Sequence, residues 1–178
     1  MHISPEDLQY VTSFEEIIWG GMLTAITLAT HGLGMLWTVR ISDKLKRWSA
    51  GRQSFAVGMG IIVLASWMII VVHLIEVVVW AGFFLWKGAM PSSSLSFYFA
   101  LMDYTTLGSN FDLPLRWRLL EGMIAIAGLM TFAWSTGVLL TLAQEFQDQQ
   151  LRLARHREKH AARPASSSTQ VPGDTQHH

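Results

Sequence analysis

The chain has 178 residues, of which 51% are hydrophobic and only 15% are charged. Soluble domains carry roughly 25% charged residues, so this composition indicates a membrane protein. The absence of Cys excludes disulfides, thiolate metal sites and Cys nucleophiles. The formal net charge of zero says nothing about partners, and no basic patch of the kind that binds nucleic acid is found.

Three apolar stretches are long enough to cross a bilayer, whose hydrocarbon core is about 30 Å thick. We predict spans at 17–39, 55–86 and 119–143. The acidic segment 1–16 lacks the basic residues of a cleavable signal peptide. After the third span the chain is polar, and we expect it to continue as a helix to about Ala162 and then to become disordered.

A short apolar segment at 94–105 follows a break rich in helix-stopping residues. It is too short to cross a membrane at about 1.5 Å per residue. We therefore predict a helix buried among the others as a re-entrant segment.

The distribution of Lys and Arg predicts the topology, because these residues accumulate in cytoplasmic loops. Three crossings and one re-entrant dip put both basic clusters on the cytoplasmic side and the N-terminus outside. Four crossings would put the two basic clusters on opposite sides of the membrane. The two clusters are Arg40, Lys44, Lys46, Arg47 and Arg52, and Arg152, Arg155, Arg157, Lys159 and Arg163.

A hydroxyl- and glycine-rich turn ends the re-entrant segment. Such backbone is tolerated at membrane depth only where it is buried in protein or lines a watery cavity. Ion filters use rings of backbone carbonyls, and Gly, followed by Asn, best tolerates the left-handed conformations that such a path requires. We predict that Asp112 lies at the outer mouth and that Asp103 braces the filter. The predicted filter is Thr105, Thr106, Leu107, Gly108, Ser109 and Asn110.

Residues 92–143 resemble the two-helix pore module of tetrameric bacterial potassium channels. Thr106, Leu107 and Gly108 match the first half of the signature Thr-Val-Gly-Tyr-Gly, whereas Ser109 and Asn110 stand where Tyr and Gly belong. The pore-module motifs are Phe97-Tyr98-Phe99, Trp117-Arg118-Leu119-Leu120 and Phe132-Ala133-Trp134-Ser135-Thr136. A narrower similarity, to small bacterial ion-channel-family proteins with an extra N-terminal helix, adds His31-Gly32-Leu33-Gly34 and His73-Leu74-Ile75-Glu76.

The resemblance implies a homotetramer in the inner membrane that passes monovalent cations. Each chain supplies one loop, so four copies are needed to close a filter. Potassium or sodium ions in the pore are the only ligands expected, and no enzymatic activity is implied.

Three ionisable residues, His31, His73 and Glu76, lie inside predicted spans, where such residues are functional candidates by default. They could hydrogen-bond neighbouring helices, form a pH-modulated His73–Glu76 pair, or bind a metal or haem. His31 lies eight residues from the predicted inner end of its span, and His73 lies eighteen residues from the inner end of its own. This is a difference of about 15 Å in depth, which argues against a shared metal site.

The predicted fold is thus an all-α membrane protein with three spans and a re-entrant pore helix. Gly128, in the last span, is a candidate gating hinge or a close-packing position. The alternatives to a cation channel are a proton- or metal-linked transporter or sensor built on the three ionisable residues, and a non-conducting membrane subunit. The predicted segments are 1–16 outside, 17–91 with two spans and a basic cytoplasmic loop, 92–145 as the pore module, and 146–178 as a cytoplasmic helix extension and tail.

Overall fold

The computed structural model describes residues 11–49 and 54–162, and within these residues it contains helices and no β-strand. A short 3₁₀ helix, Leu115–Trp117, precedes the last of four α-helices. Three of the four are long and apolar enough to cross a membrane, so the chain is a multi-pass membrane protein. The helices are α1 (Phe14–Trp48), α2 (Phe55–Trp86), α3 (Ser93–Tyr104) and α4 (Leu119–Ala162).

The helix bounds agree with the sequence predictions except at α1. The helix α2 begins and ends as predicted, α3 is shifted by one residue, and α4 continues to Ala162. The prediction that a basic loop follows Val39 is wrong, because α1 continues as a helix to Trp48. Lys and Arg are good helix formers and stabilise a helix C-terminus, so the basic segment extends the helix instead of ending it. Arg52, Arg163 and the predicted disordered tail lie outside the described residues.

The helices α1 and α4 run in the same direction, and α2 runs against both. The Trp80 indole N–H donates to the Thr27 hydroxyl of α1 at 2.9 Å. At the basic end of the bundle, Lys46 of α1 forms an ion pair with Glu145 of α4. The basic parts of α1 and α4 therefore lie at the same end, as the charge distribution predicts. That this end is cytoplasmic stays a prediction.

The helix α3 enters the bundle at the opposite end and stops about half-way along it. Its 12 residues are about 18 Å long. Its last residue, Tyr104, contacts Glu76 and Thr131. Glu76 lies ten residues before the end of α2 and Thr131 lies twelve residues after the start of α4, which corresponds to about 15–18 Å from that end.

The main hydrophobic core surrounds α3. It contains the fully buried side chains of Trp80, Phe84, Phe99, Leu120 and Ile124. Ser96 also ties α3 to α2, because its hydroxyl donates to the Ala81 carbonyl at 2.6 Å. Only about a third of each membrane-span window is buried within the chain, so most apolar side chains of these helices face outward.

A glycine allows α3 and α4 to meet backbone to backbone. A Cβ atom at Gly128 would lie 2.0 Å from the Tyr104 carbonyl oxygen, which cannot move aside without moving α3. Gly128 therefore has a packing role, whether or not it also acts as a hinge. By contrast, a Cβ atom at Gly122 of the same helix would meet nothing within 4 Å.

We expect Gly128→Ala to destabilise the protein by about 1–3 kcal/mol, since overpacking at a backbone contact cannot be relieved by rotating a side chain. Gly122→Ala is the matched control and should be neutral or slightly stabilising, because Ala is the better helix former. Thermal unfolding of both variants in detergent measures the difference. Equal melting temperatures would contradict the close approach of α3 and α4.

Candidate functional site

The predicted filter residues form a turn that folds back over the end of α3. The backbone N–H groups of Leu107 and Gly108 both donate to the Met102 carbonyl, at 2.9 and 3.2 Å. Thr105 ends the helix, and its hydroxyl donates to the Leu101 carbonyl at 2.8 Å. The turn is therefore continuous with α3, and its position depends on where that helix ends.

Two residues of the turn have left-handed backbone. Thr106 has φ 63° and Gly108 has φ 72°. Gly adopts this region freely, but for a β-branched residue such as Thr it is a strained outlier that persists only where the surroundings impose it. Among the described residues, Thr106 is the only non-glycine with positive φ, so Asn110 does not take the left-handed conformation considered for it.

The outer half of the turn has its own local structure. The Ser109 hydroxyl donates to the Phe111 carbonyl at 2.8 Å and accepts from the Phe111 N–H at 3.2 Å. Asn110 and Asp112 are exposed. Leu107 is 73% exposed and Phe111 is 47% exposed, so the turn presents apolar side chains that no described part of the chain covers.

Asp103 lies behind the turn and is only 8% exposed. Its carboxylate accepts a hydrogen bond from the Ser109 backbone N–H, while its Oδ2 atom is buried without a partner. Burial raises its pKa to about 6, helped by the nearby charges of Glu121 and Asp112 and opposed by the hydrogen bond from Ser109. Asp103 is therefore placed to hold the outer half of the turn.

A cluster of polar side chains lies directly beneath the turn. His31 Nδ1 lies 3.0 Å from Glu76 Oε1, and His73 Nδ1 lies 3.5 Å from Glu76 Oε2. The Tyr104 hydroxyl donates to Glu76 Oε2 and lies 2.8 Å from His73 Nδ1. His31 and Glu76 are fully buried and His73 is 8% exposed. Each of α1, α2 and α3 thus contributes at least one side chain to a group centred on the Glu76 carboxylate.

The helix α4 completes the cluster with two hydroxyl groups one helical turn apart. Ser135 Oγ lies 3.0 Å from His73 Nε2 and 3.2 Å from His31 Nε2. Thr131 Oγ1 lies 2.6 Å from the Tyr104 hydroxyl. Phe132 stacks on His73 with ring centroids 4.4 Å apart, so the polar cluster is covered by an aromatic ring.

The prediction that His31 and His73 lie at different depths is wrong. Their ring centroids are 5.2 Å apart. The error came from the end of α1: measured from Trp48, His31 is seventeen residues in, which closely matches the eighteen residues between Phe55 and His73. The two histidines therefore meet half-way along the bundle.

Sequence reasoning did not connect Tyr104, Thr131 and Ser135 with the two histidines. The i, i+4 spacing of Thr131 and Ser135 puts both on one face of α4. That spacing was a signal for a polar face, but nothing local indicated which helix it would meet. Tyr104 lies in the segment predicted as a re-entrant helix, and nothing local indicates a partner for its hydroxyl.

Comparison with protein-family models, with curated proteins and with solved structures finds no match to this chain. The resemblance to potassium channels therefore rests on the motif residues alone and stays a prediction.

We expect Tyr104→Phe to destabilise the protein by about 1–3 kcal/mol, because it leaves a buried Glu76 oxygen without its donor. Tyr98→Phe, on the same helix, is the matched control, because Tyr98 is 46% exposed. For a chain of this size the melting temperature should fall by about 2–4 °C per kcal/mol. Equal melting temperatures for the two variants would show that the Tyr104 hydroxyl does not hold α3 in place.

The raised pKa of Asp103 predicts a pH dependence of stability. Between an unfolded pKa of 3.8 and a folded pKa of about 6, the folded state binds more protons than the unfolded state. Stability should therefore increase as the pH falls from about 6 to about 4 and decrease as it rises through this range.

Melting temperatures across this range test the dependence. Asp103→Asn mimics the protonated form, so the melting temperature of this variant should change less with pH than that of the wild type. The exposed Asp148→Asn is the control and should keep the wild-type slope. An unchanged slope in Asp103→Asn would rule out Asp103 as its source.

Proposed function

We propose that the chain is one subunit of a homotetrameric cation channel and that α3 is its re-entrant pore helix. The observation that carries the proposal is the end of α3 half-way along the bundle, followed by a turn with left-handed backbone at Thr106 and Gly108. A helix of about 18 Å cannot cross a hydrocarbon core of about 30 Å, so a chain that enters and leaves at the same end must turn within it.

The chemistry of the turn suits cation conduction. Thr105, Thr106, Leu107 and Gly108 offer backbone carbonyls and two hydroxyls, the oxygen ligands that replace an ion's hydration shell in a filter. Monovalent cations, potassium or sodium, are the expected permeants. Ser109 forms a local turn with Phe111 where a potassium filter has aromatic packing, so strong potassium selectivity is not part of the proposal.

The exposed apolar residues of the turn support assembly. Leu107 and Phe111 are uncovered in a single subunit, and neighbouring subunits around a fourfold axis would cover them. One turn per chain supplies a quarter of a filter, so the fourfold symmetry follows from closing the ring. In this assembly α4 is the inner helix, the N-terminus is outside the cell membrane and the C-terminus is cytoplasmic.

Gly108→Ala tests the filter. We expect loss of potassium and sodium flux into liposomes with the tetramer retained, since Ala is disfavoured at φ 72°. Gly88→Ala is the matched control, because Gly88 has φ 64° with open space around it but lies in the turn between α2 and α3. Full flux in Gly108→Ala would refute the filter, and equal loss in Gly88→Ala would assign the effect to general strain.

The buried cluster favours a second candidate function, a proton- or metal-linked transporter or sensor. His31, His73 and Glu76 converge at the depth where transporters hold their coupling ions. The two functions are separated by His73→Asn. Abolished flux in that variant with normal flux in Gly108→Ala supports the transporter, and the reverse supports the channel. A non-conducting subunit would show no flux when the wild-type protein is purified alone.

A further inference from the structure

The hydrogen bonds of Ser135 favour one tautomer of each histidine. The Ser135 hydroxyl donates its only proton to the Thr131 carbonyl at 2.8 Å. Its oxygen can then only accept hydrogen bonds, and it lies 3.0 Å from His73 Nε2 and 3.2 Å from His31 Nε2. With the Ser135 hydroxyl oriented in this way, both imidazoles donate from Nε2. In its neutral form each imidazole then has a bare lone pair at Nδ1.

Both of these Nδ1 atoms face the same carboxylate. His31 Nδ1 lies 3.0 Å from Glu76 Oε1, and His73 Nδ1 lies 3.5 Å from Glu76 Oε2. An ionised carboxylate and neutral Nδ1 atoms are all acceptors. Among the described residues, the hydroxyl that reaches these atoms is that of Tyr104, which already donates to Glu76. His31, His73 and Glu76 thus direct three acceptor atoms at one point, and no positive charge of a described residue lies at that point.

The spacing of these atoms suits a small divalent transition-metal ion. Zinc lies about 2.0–2.1 Å from His nitrogen and from carboxylate oxygen, and two ligands of one tetrahedral ion are then about 3.3 Å apart. The observed separations of 3.0 and 3.5 Å fall on either side of this value. Ligand atoms of His31, His73 and Glu76 all lie within 4.8 Å of one another, so small movements bring all three onto one ion.

The surroundings also resemble those of a metal site. Histidines that bind metals donate their other ring N–H to a fixed acceptor, which sets the tautomer and raises ligand basicity. Ser135 provides this acceptor for both imidazoles, and Tyr104 holds the carboxylate. Two imidazoles and one carboxylate are ligands of the kind that zinc prefers.

We propose that His31, His73 and Glu76 form a binding site for one divalent transition-metal ion of the zinc class. The ion joins α1 to α2 directly, and Tyr104 extends this connection to α3. The site does not depend on whether the turn above it conducts ions, so metal binding and ion flux can succeed or fail separately.

The experiment is metal binding by the full-length protein purified in detergent. Zn²⁺ is titrated and the bound metal measured by elemental analysis, and Co²⁺ serves as a spectroscopic probe because its visible bands report tetrahedral nitrogen and oxygen ligands. We expect about one ion per chain, a higher melting temperature with Zn²⁺, and loss of both in His31→Asn, His73→Asn and Glu76→Gln.

The chain offers a matched control for adventitious binding. Five other histidines, His2, His156, His160, His177 and His178, can be replaced by Asn together. That variant should still bind about one ion per chain. The proposal would be overturned if Zn²⁺ binding were lost in this five-histidine variant and kept in the variants of His31, His73 and Glu76. It would also be overturned if the wild-type protein bound no Zn²⁺, because protons alone would then occupy the cluster.

Ser135→Ala tests the metal site even if the variants of His31, His73 and Glu76 do not fold. It leaves all three ligands in place and removes only the acceptor of the two Nε2–H groups. We expect the affinity for Zn²⁺ to fall by about 10–100-fold, the usual effect of losing such a partner. The proposal would be overturned if Ser135→Ala bound Zn²⁺ as tightly as the wild type and if Zn²⁺ did not change the melting temperature of either protein.

Discussion

The buried Glu76 carboxylate is the constraint on which the rest of the bundle depends. An ionised carboxylate in an apolar interior is very costly unless other groups neutralise it and donate hydrogen bonds to it. Glu76 is fully buried. The Tyr104 hydroxyl of α3 donates to it, and the imidazoles of His31 from α1 and His73 from α2 face its two oxygens. The helices cannot shift far relative to one another without leaving a polar group unsatisfied.

This constraint reaches the turn that follows α3, because Tyr104 is the last residue of that helix. The hydroxyl of Tyr104 fixes the depth at which α3 ends, and the missing Cβ of Gly128 lets its carbonyl approach α4. The strained backbone of Thr106 begins two residues later. The cluster and the strained turn are therefore only two residues apart along the chain, from Tyr104 to Thr106.

The two ends of the bundle are held by weaker interactions. Glu15 pairs with Lys87 at 3.7 Å and with Arg116 at 3.2 Å, at the end where α3 enters. Lys87 also lies 4.4 Å from the centroid of the Trp19 ring. Exposed ion pairs of this kind contribute little to stability individually. The buried cluster, by contrast, joins the helices half-way along the bundle.

The sequence by itself determined the number and type of the elements. Long apolar runs specify membrane helices, and the Ser92 cap and the glycine turn at Gly88 separate α2 from the short α3. These are local signals, carried by composition and by residues a few positions apart. The end of α1 was the exception, because charged residues that suit a loop also suit the last turns of a helix.

The site was decided only by the tertiary structure. Its contacts between helices join residues separated by 27 to 104 positions, such as Tyr104 with Thr131 and His31 with Ser135. Whether two such residues meet depends on the relative depth and rotation of whole helices. The predicted end of α1 was nine residues too early, and this alone made the prediction put His31 and His73 at different depths. Periodicity identifies the face of a helix, but the meeting of faces is a property of the packed bundle.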